Sequence, residues 1–395
     1  MNPISTCVMN PHENPSSLSL VVSSVDILIQ ILSRLPIKIL LQFKLVSKKW
    51  RSVISDPFFA REHCHQYPHP VNGLILHTNQ PELEFVSLDG SSSSAAPFET
   101  LDFIQDPKGI RIDQSCNGLI CCSSIRASFL ERTYYVCNPF TKQFRSIVCG
   151  SQGKEKGFVG YSSVSLAYDP HSSPHYKVVC IWFTKQPEDS DTNADLQLEI
   201  YSSETATWKL YGDVFSAPRR SFLYKSGVFW KGSLHWIDPS IEGNSFYFNV
   251  DQELRMKMPD YRSVPKVEDR VMVKFFGECR GHLHLIVSPA SLSSFEVLEM
   301  ETDYTGWNVK YHVSPQELII LYPRPPDFDV LLVEEVESNS SKIVLLIQDK
   351  VFSYDIQDKS FKEIHRLAPG LGVFLILCFI SVRIREGACW TSRER

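Results

Sequence analysis

From Val25 onward the apolar positions Ile27, Leu28, Ile31, Leu32 and Leu35 fall at helical offsets, which predicts a helix with one apolar face. Pro36 follows directly, where a proline suits the first turn of a second helix and would break the interior of the first. That second helix, IKILLQF, offers Ile39, Leu40 and Phe43 for packing. A third run, VSKKWRSVI, puts Val46, Trp50, Val53 and Ile54 on one side, and the Asp56-Pro57 pair stops it. Three short helices in about 40 residues make a module too small to bury all of its apolar surface by itself. Trp50 is expected to anchor the third helix inside it.

After Cys64 the pattern changes from helical spacing to short β-branched and aromatic runs cut by turn residues. LEFVSLDGSSSSAAP reads as a strand followed by a loop, and KQPEDSDTNAD as an exposed acidic loop. Five segments repeat one plan, a strand, a polar turn and a second strand opened by a bulky residue: YVCNPFTKQFRSI, LEIYSSETATWKLY, FYFNVDQELRMKM, FEVLEMETDYTGWNVKY and VFSYDIQDKSFKEI. In three of them an aromatic stands six residues after a polar anchor, from Asn138 to Phe144, Ser202 to Trp208 and Asp355 to Phe361. The fourth, Glu299 to Trp307, is two residues longer, and the third lacks the aromatic. The spacing is near the ~50-residue period of kelch-type propeller blades, which bury their faces only against neighbours. The paired glycines of a standard kelch blade are absent, and ordinary hairpins of another all-β fold are the alternative.

Charge and cysteine content narrow the setting. Residues 1–70 carry seven Lys/Arg against four Asp/Glu, whereas the rest of the 395-residue chain carries 33 against 41. A mildly acidic large domain argues against wholesale polyanion binding. Eleven cysteines without a CxxC pair, and a start lacking the apolar core of a signal peptide, point to reduced thiols in the cytoplasm or nucleus. The apolar run LGVFLILCFISV, Leu371 to Val382, suits a buried strand or core segment and falls short of the ~20 residues a membrane helix needs.

The segment from Ser23 to about Cys64 resembles an F-box, and ILSRLPIKILLQFKLVSKKWRSVISDPFF is close to the plant form of that motif. Downstream, CNGLICC, YYVCNPFTKQF, AYDPHSSPHYKVVCIW, LEIYSSETATWKLY and GVFWKGSLHWI are similar to the F-box-associated, kelch-like domain of plant proteins. The expected fold is therefore multidomain α+β: a small three-helix F-box module, then an all-β, propeller-like (kelch-like) domain. The expected division is a leader over 1–20, the F-box over 21–65, linker and first strands over 66–110, the β domain over 111–370 and an atypical apolar tail over 371–395. Two departures stand out. Ser23 and Ser24 occupy the positions of the family's usual Leu-Pro pair, and the chain turns unusually apolar after Pro369.

The resemblance implies a non-catalytic substrate adaptor of a cullin-RING ubiquitin ligase, with partners in a Skp-family adaptor, the ligase core and a protein target that the sequence does not identify. The residues expected to meet the adaptor are Leu28, Ile31, Leu32, Leu35, Pro36, Leu40, Leu41, Phe43, Leu45, Val46 and Trp50. The basic residues from Arg34 to Arg51 do not suit a DNA-reading helix, because every helix spends one face on large aliphatics. Pro36 also interrupts any long membrane-surface amphipath. No GxSxG, HExxH, phosphate-loop or GxGxxG pattern occurs, so no cofactor is expected. A propeller enzyme or glycan-binding lectin with a helical leader is the competing reading. His63-Cys64-His65 reads as linker rather than as a metal site. Cys121 and Cys122 are expected on opposite strand faces, His282 and His284 on the same face, and Trp182, Trp230 and Trp236 in sheet packing.

Overall fold

The computed structural model describes residues 25–35, 37–56, 59, 63, 73–77, 83–88, 100–125, 132–139, 142–147, 160–184, 193–218, 226–239, 244–264, 271–289, 294–314, 328–337, 340–367 and 376–378. The chain divides into two compact units, Met1–Pro68 and His69–Arg395.

In the first unit the described helical segments are α1 (Val25–Leu32), α2 (Ile37–Phe43) and α3 (Lys48–Ile54). Helices of seven or eight residues are marginal in isolation, so packing must hold them. Leu28, Leu32, Leu40, Val53, Ile54 and Phe59 form the buried cluster, with Ile29, Leu35, Phe43 and Trp50 against its edge. Ser47 caps α3, its Oγ accepting from the Trp50 backbone N–H at 3.1 Å. Trp50 itself is only half buried, edge-on to Phe43 with ring centroids 5.1 Å apart. It braces the rim of the core while the aliphatics fill its centre.

The second unit begins with two strands, β1 (Gly73–His77) and β2 (Leu83–Ser87), which pair with each other. Blade one is β3 (Ile110–Cys116), β4 (Leu119–Ser124), β5 (Tyr134–Asn138) and β6 (Gln143–Ile147). Blade two is β7 (Gly160–Ala167), β8 (Lys177–Phe183), β9 (Asn193–Ser202) and β10 (Thr207–Pro218). Blade three is β11 (Val228–Trp230), β12 (Ser233–Trp236), β13 (Phe246–Asn249) and β14 (Leu254–Lys257). Blade four is β15 (Val271–Cys279), β16 (His282–Pro289), β17 (Phe295–Met300) and β18 (Trp307–Val313), and blade five is β19 (Phe328–Glu337), β20 (Ser340–Ile347), β21 (Lys350–Asp355) and β22 (Ser360–Arg366). Every blade is a simple antiparallel meander, and the first strands of successive blades pack on one another. This is a β-propeller of five four-stranded blades. The second strands are almost wholly buried, and the fourth strands β6, β14 and β22 are mostly exposed.

The five repeated segments are the third-to-fourth-strand hairpins of the five blades. The reason for their regularity is backbone geometry. Four residues beyond Asn138, Ser202, Asn249 and Asp355 stand Lys142, Ala206, Glu253 and Lys359, all left-handed with φ between 52° and 55°. Short polar anchors suit such turns because their side chains can bond the turn's own backbone. Asn249 Oδ1 accepts from the N–H groups of Asp251 and Gln252, and Asp355 Oδ1 accepts from those of Gln357 and Asp358. The first-to-second-strand turns Asn117-Gly118, Lys231-Gly232 and Arg280-Gly281 have positive φ at both residues, the two-residue turn whose twist matches the strands it joins.

The apolar tail meets the start of the β unit. A last strand, β23 (Ile376–Cys378), pairs antiparallel with β1, setting Ile75 opposite Cys378 and His77 opposite Ile376. The resulting three-stranded sheet lies between blades one and five: Ile75 joins the cluster containing Ile112 and Ile120, while Leu74 and Leu76 join that of Leu331 and Val344. His365 Nε2 stands 2.6 Å from Glu84 Oε1 and ties blade five to β2.

Candidate functional site

Helix α1 divides its apolar residues between two directions. Leu28 and Leu32, one turn apart, are buried in the core, whereas Ile27 and Ile31, also one turn apart, are more than 40% exposed. The single apolar face expected from spacing is thus a broad stripe whose outer half the unit does not cover. After α2 the chain turns through Leu45 and Val46, which are 79% and 60% exposed. Val46 precedes the helical backbone of α3 and points to solvent, so it does not share the buried side of Val53 and Ile54.

Of the residues expected to meet a partner, Ile31, Leu45 and Val46 are exposed. Leu35, Phe43 and Trp50 are half buried, and Leu28, Leu32 and Leu40 lie inside the core. Those three can act on docking only by holding the helices in place. Pro36 and the side chain of Leu41 lie outside the described residues, as do Ser23 and Ser24. Val25 and Ile27 were not among the expected contacts, yet both are exposed; Ile27's position one turn before Ile31 was the available signal. Basic groups flank Leu45 and Val46 in the chain. Lys48 and Arg51 are exposed, and partial burial, then the nearby Arg51 charge, lowers the pKa of Lys44.

His63 is buried, with its Nε2 2.8 Å from the Leu35 carbonyl oxygen. It fastens the end of the unit to the end of α1 and its neighbouring turn; Cys64 and His65 lie outside the described residues. Among the described residues no group of three His, Cys, Asp or Glu side chains is arranged to hold a metal. None of the described helices is long and apolar enough to cross a membrane.

In the β unit the polar groups singled out from sequence are built into the sheets. Cys121 and Cys122 are both buried and enter different clusters on the two sides of β4. His282 and His284 face one carboxylate: His282 Nδ1 is 2.6 Å and His284 Nε2 3.5 Å from Glu299 oxygens, and Lys310 Nζ is 2.5 Å away. His284, 3.5 Å away, leads the effects that hold the Glu299 carboxyl far below the usual carboxylate range, and with Lys310 and His282 it outweighs the partial burial. The three tryptophans are buried with their indole N–H groups satisfied. Trp182 donates to Glu199 at 2.7 Å, Trp230 to the Gly281 carbonyl at 2.6 Å and Trp236 to Ser163 Oγ at 3.2 Å.

One buried constellation had no sequence signal. His235 lies under Tyr304 and Tyr247, with ring centroids 5.7 and 5.5 Å away and nearly parallel planes. Its Nδ1 is 3.1 Å from the Val228 carbonyl and its Nε2 2.8 Å from the Tyr304 hydroxyl. A carbonyl only accepts, so Nδ1 carries the hydrogen and the neutral ring accepts from Tyr304 at Nε2. Burial pushes the His235 pKa down to about 4. The group clasps blade three to the left-handed Tyr304 of blade four's turn.

Comparisons with known proteins agree with this two-part organisation. Residues 24–62 match the F-box domain, and residues 75–261 match the F-box associated beta propeller domain. The chain is 33% identical to F-box protein At5g07610 of Arabidopsis thaliana over 88% of its own length and 87% of that protein. It is 29% identical to F-box protein At5g49610 of the same plant, over 60% and 64% of the two chains. F-box/kelch-repeat protein At3g17530, also from Arabidopsis thaliana, is 28% identical over 59% of each. With an exposed apolar stripe on a small helical unit, a propeller after it, and a relative matched along most of both chains, the protein belongs to the F-box family, in the group whose F-box precedes an F-box associated β-propeller.

Proposed function

We propose that the protein is a substrate-recognition subunit of an SCF-type ubiquitin ligase, docking on a Skp-family adaptor through the helical unit and holding a target protein with the propeller. The observation that carries this reading is the set of exposed aliphatics on the F-box, Val25, Ile27 and Ile31 on α1 and Leu45 and Val46 after α2. A small unit that leaves five large aliphatics partly in water gains from a partner that covers them, because each Å² of apolar surface buried is worth ~25 cal/mol. Basic residues beside them speed encounter with an acidic adaptor while the aliphatics set the lifetime of the complex. A target held by the propeller would then meet the ubiquitin-charged enzyme at high effective concentration, with no chemistry asked of this chain. In the propeller His235 is paired with Tyr304 across two blades, and Glu299 with His282 and Lys310 within one, in keeping with a binding role.

The experiment is surface-plasmon kinetics of the full chain on immobilised adaptor. Changing Leu45 and Val46 together to Ser should leave the helical signal intact, since neither is in the core, and should speed dissociation about tenfold or more. Changing Lys44 and Lys48 to Ala should slow association at low salt and have little effect at high salt. Unaltered dissociation of the Ser variant would remove the assignment of this surface.

A further inference from the structure

The third blade breaks the internal repeat, and a cleft lies beside the break. Six residues after the anchor, blades one, two and five carry Phe144, Trp208 and Phe361, and blade four carries Trp307 at the corresponding start of its fourth strand. Trp208 packs into the cluster shared by blades one and two, Trp307 into that of blades three and four, and Phe361 into that of blades four and five. In blade three this residue is Arg255. Its guanidinium carbon lies 4.2 Å from the ring centre of Phe215 on blade two and 5.7 Å from that of Phe246.

Arg255 pairs across the strands with Phe248, and Lys257 with Phe246. Directly opposed residues share a sheet face, so both cations stand on the face that carries these rings. Between the blades remains a cavity of about 200 Å³, lined by Phe215, Ala217, Asn244, Phe246, Arg255 and Lys257. It lies at the ends of β10 and β14, away from the tight turns at 203–206 and 250–253. The acids of the 250–253 turn, at the other end of β14, are engaged elsewhere: Asp251 pairs with Lys177 at 2.9 Å and Glu253 with Lys209 at 2.6 Å. Among the described residues no carboxylate stands within ion-pair distance of Arg255 or Lys257. A guanidinium stacked on aromatic rings still has its hydrogen-bonding edge to offer, and a carboxylate matches it with two parallel charge-assisted bonds.

We propose that this cleft between blades two and three takes the carboxylate side chain of a glutamate or aspartate on the bound target protein. Arg255 grips the carboxylate, Lys257 adds charge at the rim, and Phe215 and Phe246 cover the side chain's apolar stem. The volume decides the class of occupant, since it is below the ~300–1,000 Å³ usual for small-molecule pockets and suits a single side chain. The inference rests on the reading that the propeller holds the target, and it specifies one chemical feature the target must present.

The test is selection of displayed random peptides on the full chain immobilised through a tag, with adaptor binding measured separately on the same preparation. The expected result is enrichment of sequences with Glu or Asp beside an apolar residue. Arg255→Phe, which restores the residue type of the sister blades, should weaken the enriched peptides about tenfold or more while adaptor binding is unchanged. Arg255→Lys should retain part of the affinity. Enriched peptides that lack an acid, no enrichment at all, or affinity unmoved by Arg255→Phe would each overturn the proposal. Displacement of the peptides by free glutarate at equal concentration would also overturn it, by making the occupant a small carboxylate. Loss of adaptor binding by the wild type would instead count against the ligase reading and leave the peptide result standing by itself.

Discussion

Leu32→Ala should unfold the helical unit of the full-length chain and abolish adaptor binding, while the propeller keeps its strand signal. Leu32 has no exposed surface and belongs to a cluster of only six buried side chains among the described residues. Removing a buried leucine costs ~2–5 kcal/mol through lost burial and the cavity left behind. A unit of about 40 residues has a total stability of the same order, so one substitution is enough. Trp50→Ala should also weaken adaptor binding, though less completely, because Trp50 is half buried and its partner Phe43 can close part of the gap. Ile31→Ala should act differently again, with helicity kept and dissociation faster, since Ile31 is already exposed. Circular dichroism with adaptor capture on the three variants separates the cases. Wild-type capture by Leu32→Ala would mean that docking does not need the folded core.

The second large effect is acid sensitivity of the propeller through His235. The group ionises at about 4 in the fold and at about 6.5 when the chain is unfolded. Between those values the unfolded chain binds the proton and the folded one does not, so stability falls as pH falls through this window. Above about pH 6.5 the contribution is fully present, and below about pH 4 no more is lost. From pH 7 to pH 5 the loss should be ~2 kcal/mol from this residue alone. Glu299 adds a loss of the same sign at lower pH, since below about pH 4.5 the unfolded chain protonates this carboxyl while the depressed folded one stays ionised. Urea unfolding of wild type and His235→Asn at both pH values isolates the histidine, because the amide stands where Nδ1 does, keeps a donor for the Val228 carbonyl and does not titrate. The variant should show a pH dependence flatter by ~2 kcal/mol. Equal slopes would place the acid sensitivity elsewhere.

Local spacing determined a great deal about this protein. The apolar positions around Leu28, Leu40 and Val53 reveal helical segments because a helix repeats every 3.6 residues wherever it packs. The anchors Asn138, Ser202 and Asp355 mark the outer hairpins because a left-handed turn residue and a side chain bonding the turn's backbone are short-range requirements. The tertiary structure decided what depends on neighbours distant in sequence. Ile27 and Leu28 are both apolar, and only the packing of α1 against the rest of its unit turns one out and the other in. Spacing cannot distinguish the edges of a broad stripe. Arg255 takes an aromatic's place because blade two offers the ring of Phe215, forty residues earlier. The clasp from His235 to Tyr304 spans two blades and leaves no periodic trace. The apolar run near the end of the chain could be read as a strand but not assigned a partner. That partner, Gly73–His77, lies some 300 residues away, and pairing at that distance is set by the geometry of the closed ring and by no local preference.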